Sequence, residues 1–66
     1  ESLAPMQSAV KLSPQDAGAH SNLGAALQVL GRLDEAETSL RKAIGLKPDY
    51  AEAHSNLGVT LQALGR

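Results

Sequence analysis

The chain has no Cys, no Trp and no Phe, and carries one Tyr and three Pro among its 66 residues. Without Cys there is no disulfide, no thiolate nucleophile and no basis for inferring a redox compartment. Charge of one sign is also lacking: six Lys and Arg against seven Asp and Glu leave a net charge of −1, so the basic footprint of a nucleic-acid binder is missing. No apolar run approaches the roughly 18 residues that a membrane span requires, and no basic-then-apolar leader opens the chain. Neither nucleic acid nor membrane is therefore expected as a partner, and the cytoplasm is the compartment to expect. The scarcity of aromatics limits the core as well. A chain of about 60 residues buries only about 60% of the surface its unfolded form exposes, and Leu and Ala must supply nearly all of that burial here.

What the sequence does have is an internal repeat. AHSNLG occurs at residues 19–24 and again at 53–58, and residues 14–32 overlie residues 48–66 with 13 of 19 positions identical. The period is 34 residues. Self-similarity at this period marks stacked supersecondary units, none of which can bury its apolar face alone.

Hydrophobic spacing predicts helices within these units. His20, Leu23, Gly24, Leu27 and Leu30 share one stripe of a helix over 17–30, with Gly31 placed to end it in a left-handed conformation. Asp34 and Glu37 form a capping-box pattern opening a helix over 34–46 with the stripe Ala36, Leu40, Ala43 and Ile44, which Lys47 and Pro48 terminate. Asp49 and Glu52 repeat the capping pattern before a helix over 50–64 whose stripe is His54, Leu57, Gly58, Leu61 and Leu64. Residues 3–12 align at the same offset with 37–46, which puts Pro5 in a first helical turn, where a missing N–H is tolerated.

The spacing His20-x-x-Leu23-Gly24-x-x-Leu27, then Ala36-x-x-x-Leu40, then Pro48 resembles the tetratricopeptide repeat, with a second registered start at His54, Leu57, Gly58 and Leu61. The resemblance implies an all-α fold of antiparallel helix-turn-helix units, a segment of an α-solenoid or superhelix. Residues 1–66 then form one such segment: 3–12 as the second helix of a preceding repeat, 17–46 as one full repeat, and 50–64 as the first helix of the next. His20 and His54 stand where Trp is common in the family, Leu27 and Leu61 where Tyr is common, and Leu40 where an aromatic is common. Leu buries less area than these, so the departures bear on stability more than on fold. Within the family, the AHSNLG wording is most similar to the arrays attached to O-linked N-acetylglucosamine transferases and their bacterial relatives.

The repeated word does not read as a catalytic centre. His20 and Ser21, like His54 and Ser55, are helix neighbours whose side chains diverge by about 100°, which prevents a base–nucleophile pair. A metal site built on His20 and His54 would need further ligands that the sequence does not bring near them, and both histidines fall on the apolar stripe as core residues making one hydrogen bond. The glycines stand in turns and at one helix contact, not in a phosphate-binding loop. No enzyme activity and no cofactor are expected.

The opposite face of the repeated helix is small and polar. Ser21, Asn22, Ala25 and Gln28 lie there on one helix, beside Gly18 and Val29, and Ser55, Asn56, Val59 and Gln62 lie there on the next, beside Glu52 and Ala63. By resemblance this face lines the concave groove of a superhelix, where Asn22 and Asn56 become successive rungs whose amides bind a peptide backbone; the transferase-like arrays use such an asparagine ladder. The structural alternative is that the asparagines only keep a solvated face soluble. A clamp for a peptide carboxylate would need cations on this face, whereas Arg32, Arg41, Lys42, Lys47 and Arg66 fall in turns or on the second helix. Glu37 and Arg41 read as an exposed i, i+4 pair.

Two functional readings follow. The first is a scaffold that binds extended peptide or protein in the groove. The second is a substrate-recruiting segment of a glycosyltransferase whose catalytic region lies outside these residues. In either, the end helices lack partners of their own; the plainer account is a piece of a longer array whose neighbouring repeats cover them, and head-to-tail association of the isolated chain is expected either way.

Overall fold

A computed structural model of the chain describes residues 3–65, so Arg66 lies outside the described residues. Four helices follow in order: α1 (Leu3–Leu12), α2 (Ala17–Val29), α3 (Leu33–Leu46) and α4 (Ala51–Ala63), with no strand among the described residues. Residues 13–16, 30–32 and 47–50 connect them. Links this short turn each helix back along its predecessor. The result is an all-α helical repeat fold, a slab of 32 × 26 × 14 Å.

Local chemistry explains where each helix stops. At the end of α2, Gly31 adopts φ 81°; its N–H donates to the Gln28 carbonyl at 3.0 Å, and the Arg32 N–H donates to the Leu27 carbonyl at 2.9 Å. These two bonds make a Schellman motif, which satisfies carbonyls that the helix leaves free and requires a residue tolerant of positive φ. Gly65 repeats the device after α4 with φ 82° and a 3.1 Å bond from its N–H to the Gln62 carbonyl. Lys47, directly before Pro48, leaves the helical region at φ −141°, ψ 88° and closes α3, while Pro5 sits within the first turn of α1.

The helix starts depart from the capping patterns read in the sequence. Asp34 is not a cap: α3 begins at Leu33 after Arg32, whose side chain makes no capping bond, and Asp34 stands inside the first turn, where its charge still favours the helix N-terminus. Asp49 is likewise a turn residue, and Tyr50 occupies the cap position of α4 without a side-chain bond. Tyr50 instead packs against the core and receives the Lys47 ammonium at 5.2 Å from its ring centre. Among the described residues the side-chain cap is Asp16 on α2, whose Oδ1 accepts from the N–H groups of Gly18 at 3.0 Å and Ala19 at 3.4 Å. Asp16→Ala should therefore lower stability by about 1 kcal/mol, a fall in Tm of roughly 4–8 °C for a domain of this size, read by thermal circular dichroism. An unchanged Tm would show that the cap contributes nothing.

The core lies where α2, α3 and α4 meet. Leu40, Ala43 and Ala53 are fully buried together, with Ile44, Tyr50 and Leu57 packed around them, and Ala36 and Leu27 are buried nearby. Small residues allow this closeness. A Cβ placed on Gly24 would lie 2.6 Å from Leu40 Cγ and 2.8 Å from its Cδ2, so α2 can approach α3 to this distance only because position 24 has no side chain. Three of the stripe residues behave otherwise than the periodicity predicts, among them Gly58, exposed on α4 with nothing within 4 Å of where a Cβ would stand. Leu30 is exposed because α2 ends at Val29 and the chain turns away at Gly31, and His54 is exposed because no described helix covers its side of α4. Pro48, part of the packing signature, is exposed too, its role being to end α3.

Candidate functional site

The repeated word places its residues at equivalent points on α2 and α4, yet their surroundings differ. On α2, His20, Ser21 and Gly24 are buried and Asn22 is exposed; on α4, His54, Ser55 and Gly58 are exposed and Asn56 is half-buried. The cause is neighbourhood. Helix α2 is flanked by α1, α3 and α4, whereas α4 contacts α3 and α2 only.

Each histidine closes the loop before its helix. His20 Nε2 lies 2.9 Å from the Pro14 carbonyl and His54 Nε2 2.7 Å from the Pro48 carbonyl. A carbonyl can only accept, so Nε2 carries the hydrogen in both rings and donates it. Where the family commonly places Trp, this chain thus uses a ring that fills part of the space and pins the preceding turn. No cluster of three or more His, Cys, Asp or Glu among the described residues is placed to hold a metal ion.

The polar face is narrower than the helical wheel implies. Ser21 is only 1% exposed and its Oγ has no hydrogen-bond partner, so it cannot meet a ligand; the neighbouring helices close over it, as they do not over its equivalent Ser55. Asn22, Ser55, Val59 and Gln62 are exposed, and Ala25, Gln28 and Asn56 are half-buried. Neither the Asn22 nor the Asn56 side-chain amide is engaged by another described residue. Thr60, which the wheel did not single out, is fully buried, and its Oγ1 donates to the Asn56 carbonyl at 2.9 Å. That i−4 bond satisfies the hydroxyl within its own helix, which is how a polar residue can sit in the contact between helices.

Charge contributes at the margins. Arg32 forks onto Glu35 with Nε–Oε1 at 2.6 Å and Nη2–Oε2 at 2.9 Å, and its guanidinium is held above its ordinary pKa by this hydrogen bond and then by the carboxylate charge. Both groups are open to solvent, so the pair orients the α2–α3 turn without adding much stability. The pairing escapes a heptad-style reading because Arg32 precedes the helix that carries Glu35. Arg41 pairs with Glu37 at 2.9 Å on α3, as the i, i+4 spacing implies. Neither cation lies on the face that carries Asn22 and Asn56. No described helix is long and apolar enough to cross a membrane.

Comparison with known proteins agrees with this architecture. The family description "TPR repeat" matches residues 29–65, which is more than half of the chain, and it describes the repeat itself without singling out the transferase arrays. No curated protein matches the sequence. With helical pairs at a 34-residue period, Gly24 at the α2–α3 contact and this match, the chain belongs to the tetratricopeptide repeat family, whose repeats mediate protein–protein interaction.

Proposed function

We propose that this chain is a non-catalytic interaction scaffold that binds extended peptide or protein along the polar face of α2 and α4, and that its end helices also associate between chains. In this reading α2 and α3 form one whole repeat, α1 is the second helix of a repeat before it, and α4 is the first helix of a repeat after it. The observation that carries the groove is the pair Asn22 and Asn56. They occupy equivalent positions on α2 and α4, and both side-chain amides are unengaged by described residues. An amide offers two donors and one acceptor oxygen, which matches the alternating N–H and C=O groups of an extended backbone. Exposed Ser55 and Gln62, with half-buried Gln28, extend the polar lining, while Ala25 and Val59 keep it shallow. A groove of this kind recognises main chain more than side chains, so binding is broad and weak.

The test is a peptide array probed with the wild-type chain and with Asn22→Ala/Asn56→Ala. The double variant should lose most hits while its helicity stays unchanged, since neither residue is part of the core. Hits that persist at full strength would reduce the asparagines to solvated surface.

A further inference from the structure

Burial serves the hydroxyl of Ser21 badly. The residue is 1% exposed and its Oγ has no hydrogen-bond partner. Thr60, fully buried on α4, gives its own hydroxyl to the Asn56 carbonyl one turn back, whereas Ser21 makes no such bond. Its place on α2 shows what lies over it. Gly18 and Gly24 stand three residues to either side of Ser21, hence about 60° round the helix from it in opposite senses. A Cβ on Gly24 would strike Leu40 of α3, and one on Gly18 would lie 3.8 Å from the hydroxyl of Tyr50, the cap residue of α4. Ser21 therefore sits in the crease between α2, α3 and α4, at the inner edge of the seam where α4 lies against α2.

That seam is lightly made. Helix α4 rests chiefly on α3 and touches α2 along a short line, and Gly18, Ser21 and Ala25 on the α2 side offer little side chain to hold a neighbour. The Asn56 amide, half-buried on α4 where its counterpart Asn22 is exposed, is likewise unengaged by described residues. Closing the seam takes water from both groups and returns no protein partner, a penalty that an opened seam does not carry. Resting on the groove reading above, we infer that the seam between α2 and α4 is a latent part of the peptide site: α4 swings off α2 while still held to α3, and the main chain of an extended peptide enters and pairs with Ser21 and Asn56. In the closed form Ser21 meets no ligand. Once uncovered, its hydroxyl can donate to a peptide carbonyl or accept from a peptide N–H, and the Asn56 amide can do both at once. The peptide replaces the water that closing removes, so binding and opening favour each other.

The chain has no Cys, so a single introduced thiol reports on its own position alone. The rate at which Ser21→Cys reacts with an aromatic disulfide reagent in native buffer is compared with that of Ala43→Cys, whose site on α3 is fully buried in the core. Urea titration of each variant supplies its stability. Ser21→Cys should react faster by on the order of tenfold or more, because the seam opens without the unfolding of α3. Rates that agree once referred to each variant's stability would mean that only global unfolding uncovers Ser21, which overturns the proposal. Ser21→Ala, probed on the same peptide array, should lose about fivefold in affinity for the hits while its Tm holds or rises, since a methyl in the closed seam forfeits no hydrogen bond. A serine with a structural role only would shift Tm and leave the hits intact, which also overturns it. Hits lost by Asn22→Ala/Asn56→Ala but kept by Ser21→Ala leave the groove standing without the seam. An array on which the wild type finds nothing removes the groove reading and the peptide's entry with it.

Discussion

Leu40→Ala is expected to unfold most of the dilute chain at 25 °C. Leu40 is fully buried among Ala43, Ala53, Ile44, Tyr50 and Leu57 and fills the space over Gly24. Truncating a buried Leu costs about 2–5 kcal/mol, the transfer term plus the cavity left behind. A core in a domain of this size supplies only about 3–5 kcal/mol, so the loss is comparable with the whole. Ala43, Ala53 and Gly24 have no longer side chains to swing into the hole, so only Ile44, Tyr50 and Leu57 at its edge are left to refill it. Urea titration followed by far-ultraviolet circular dichroism would show little or no folded baseline. A cooperative transition with a midpoint near that of the wild type would mean that the core is not centred on Leu40.

Gly24→Ala and Gly58→Ala are expected to move stability in different directions, although both replace the same residue in the same six-residue word. Either substitution improves helix propensity by roughly 1 kcal/mol, a term common to the two sites that cancels in their difference. What remains is packing. At position 24 the new methyl would sit 2.6 Å from Leu40 Cγ and 3.4 Å from the Ala36 carbonyl oxygen. Carbon atoms pack at about 3.5–4.0 Å, and Leu40, fully buried, has no free space to retreat into. Helices α2 and α3 must separate, an overpacking penalty of about 1–3 kcal/mol. At position 58 the methyl meets nothing within 4 Å, so the propensity gain stands alone. Thermal melts at concentrations where the chain is monomeric should place Gly58→Ala above Gly24→Ala by several degrees, with the wild type between them. Equal shifts in one direction would show that α2 and α3 do not meet at Gly24.

The groove and the core were unequally legible beforehand. Leu27, Ala36, Leu40 and Ala43 announce themselves by 3.6-residue spacing, and all four are buried. Gly31 and Pro48 mark helix ends because their backbone chemistry is local, a left-handed φ in one and a restricted predecessor in the other. The caps were less readable. Asp34 and Asp49 satisfy the capping pattern, yet the chain enters α3 at Leu33 and α4 at Ala51, and among the described residues it is Asp16 that caps with its side chain. The pattern specifies which residue types can cap, while the turn before the helix decides which residue is in place to do so.

Ser21 marks the limit of a wheel projection. A wheel divides one helix into an apolar side and a polar side, but α2 is covered from more than one direction, by α3 across Gly24 and by α4 alongside. Ser21 therefore lies buried, with its hydroxyl unpaired, at a position where identical Ser55 is open to solvent.

Local rules read along the chain determined the repeat period, the four helices, the ends at Gly31 and Pro48, and the family, because each rests on interactions within a few residues or on a pattern of spacing. The tertiary structure alone decided that two copies of AHSNLG have different environments: Gly24 closed by Leu40 and Gly58 open, His20 buried and His54 exposed. The reason is physical. Burial belongs to what packs against a residue, and identical words on successive helices acquire different neighbours when one helix lies between others and the next lies at the edge.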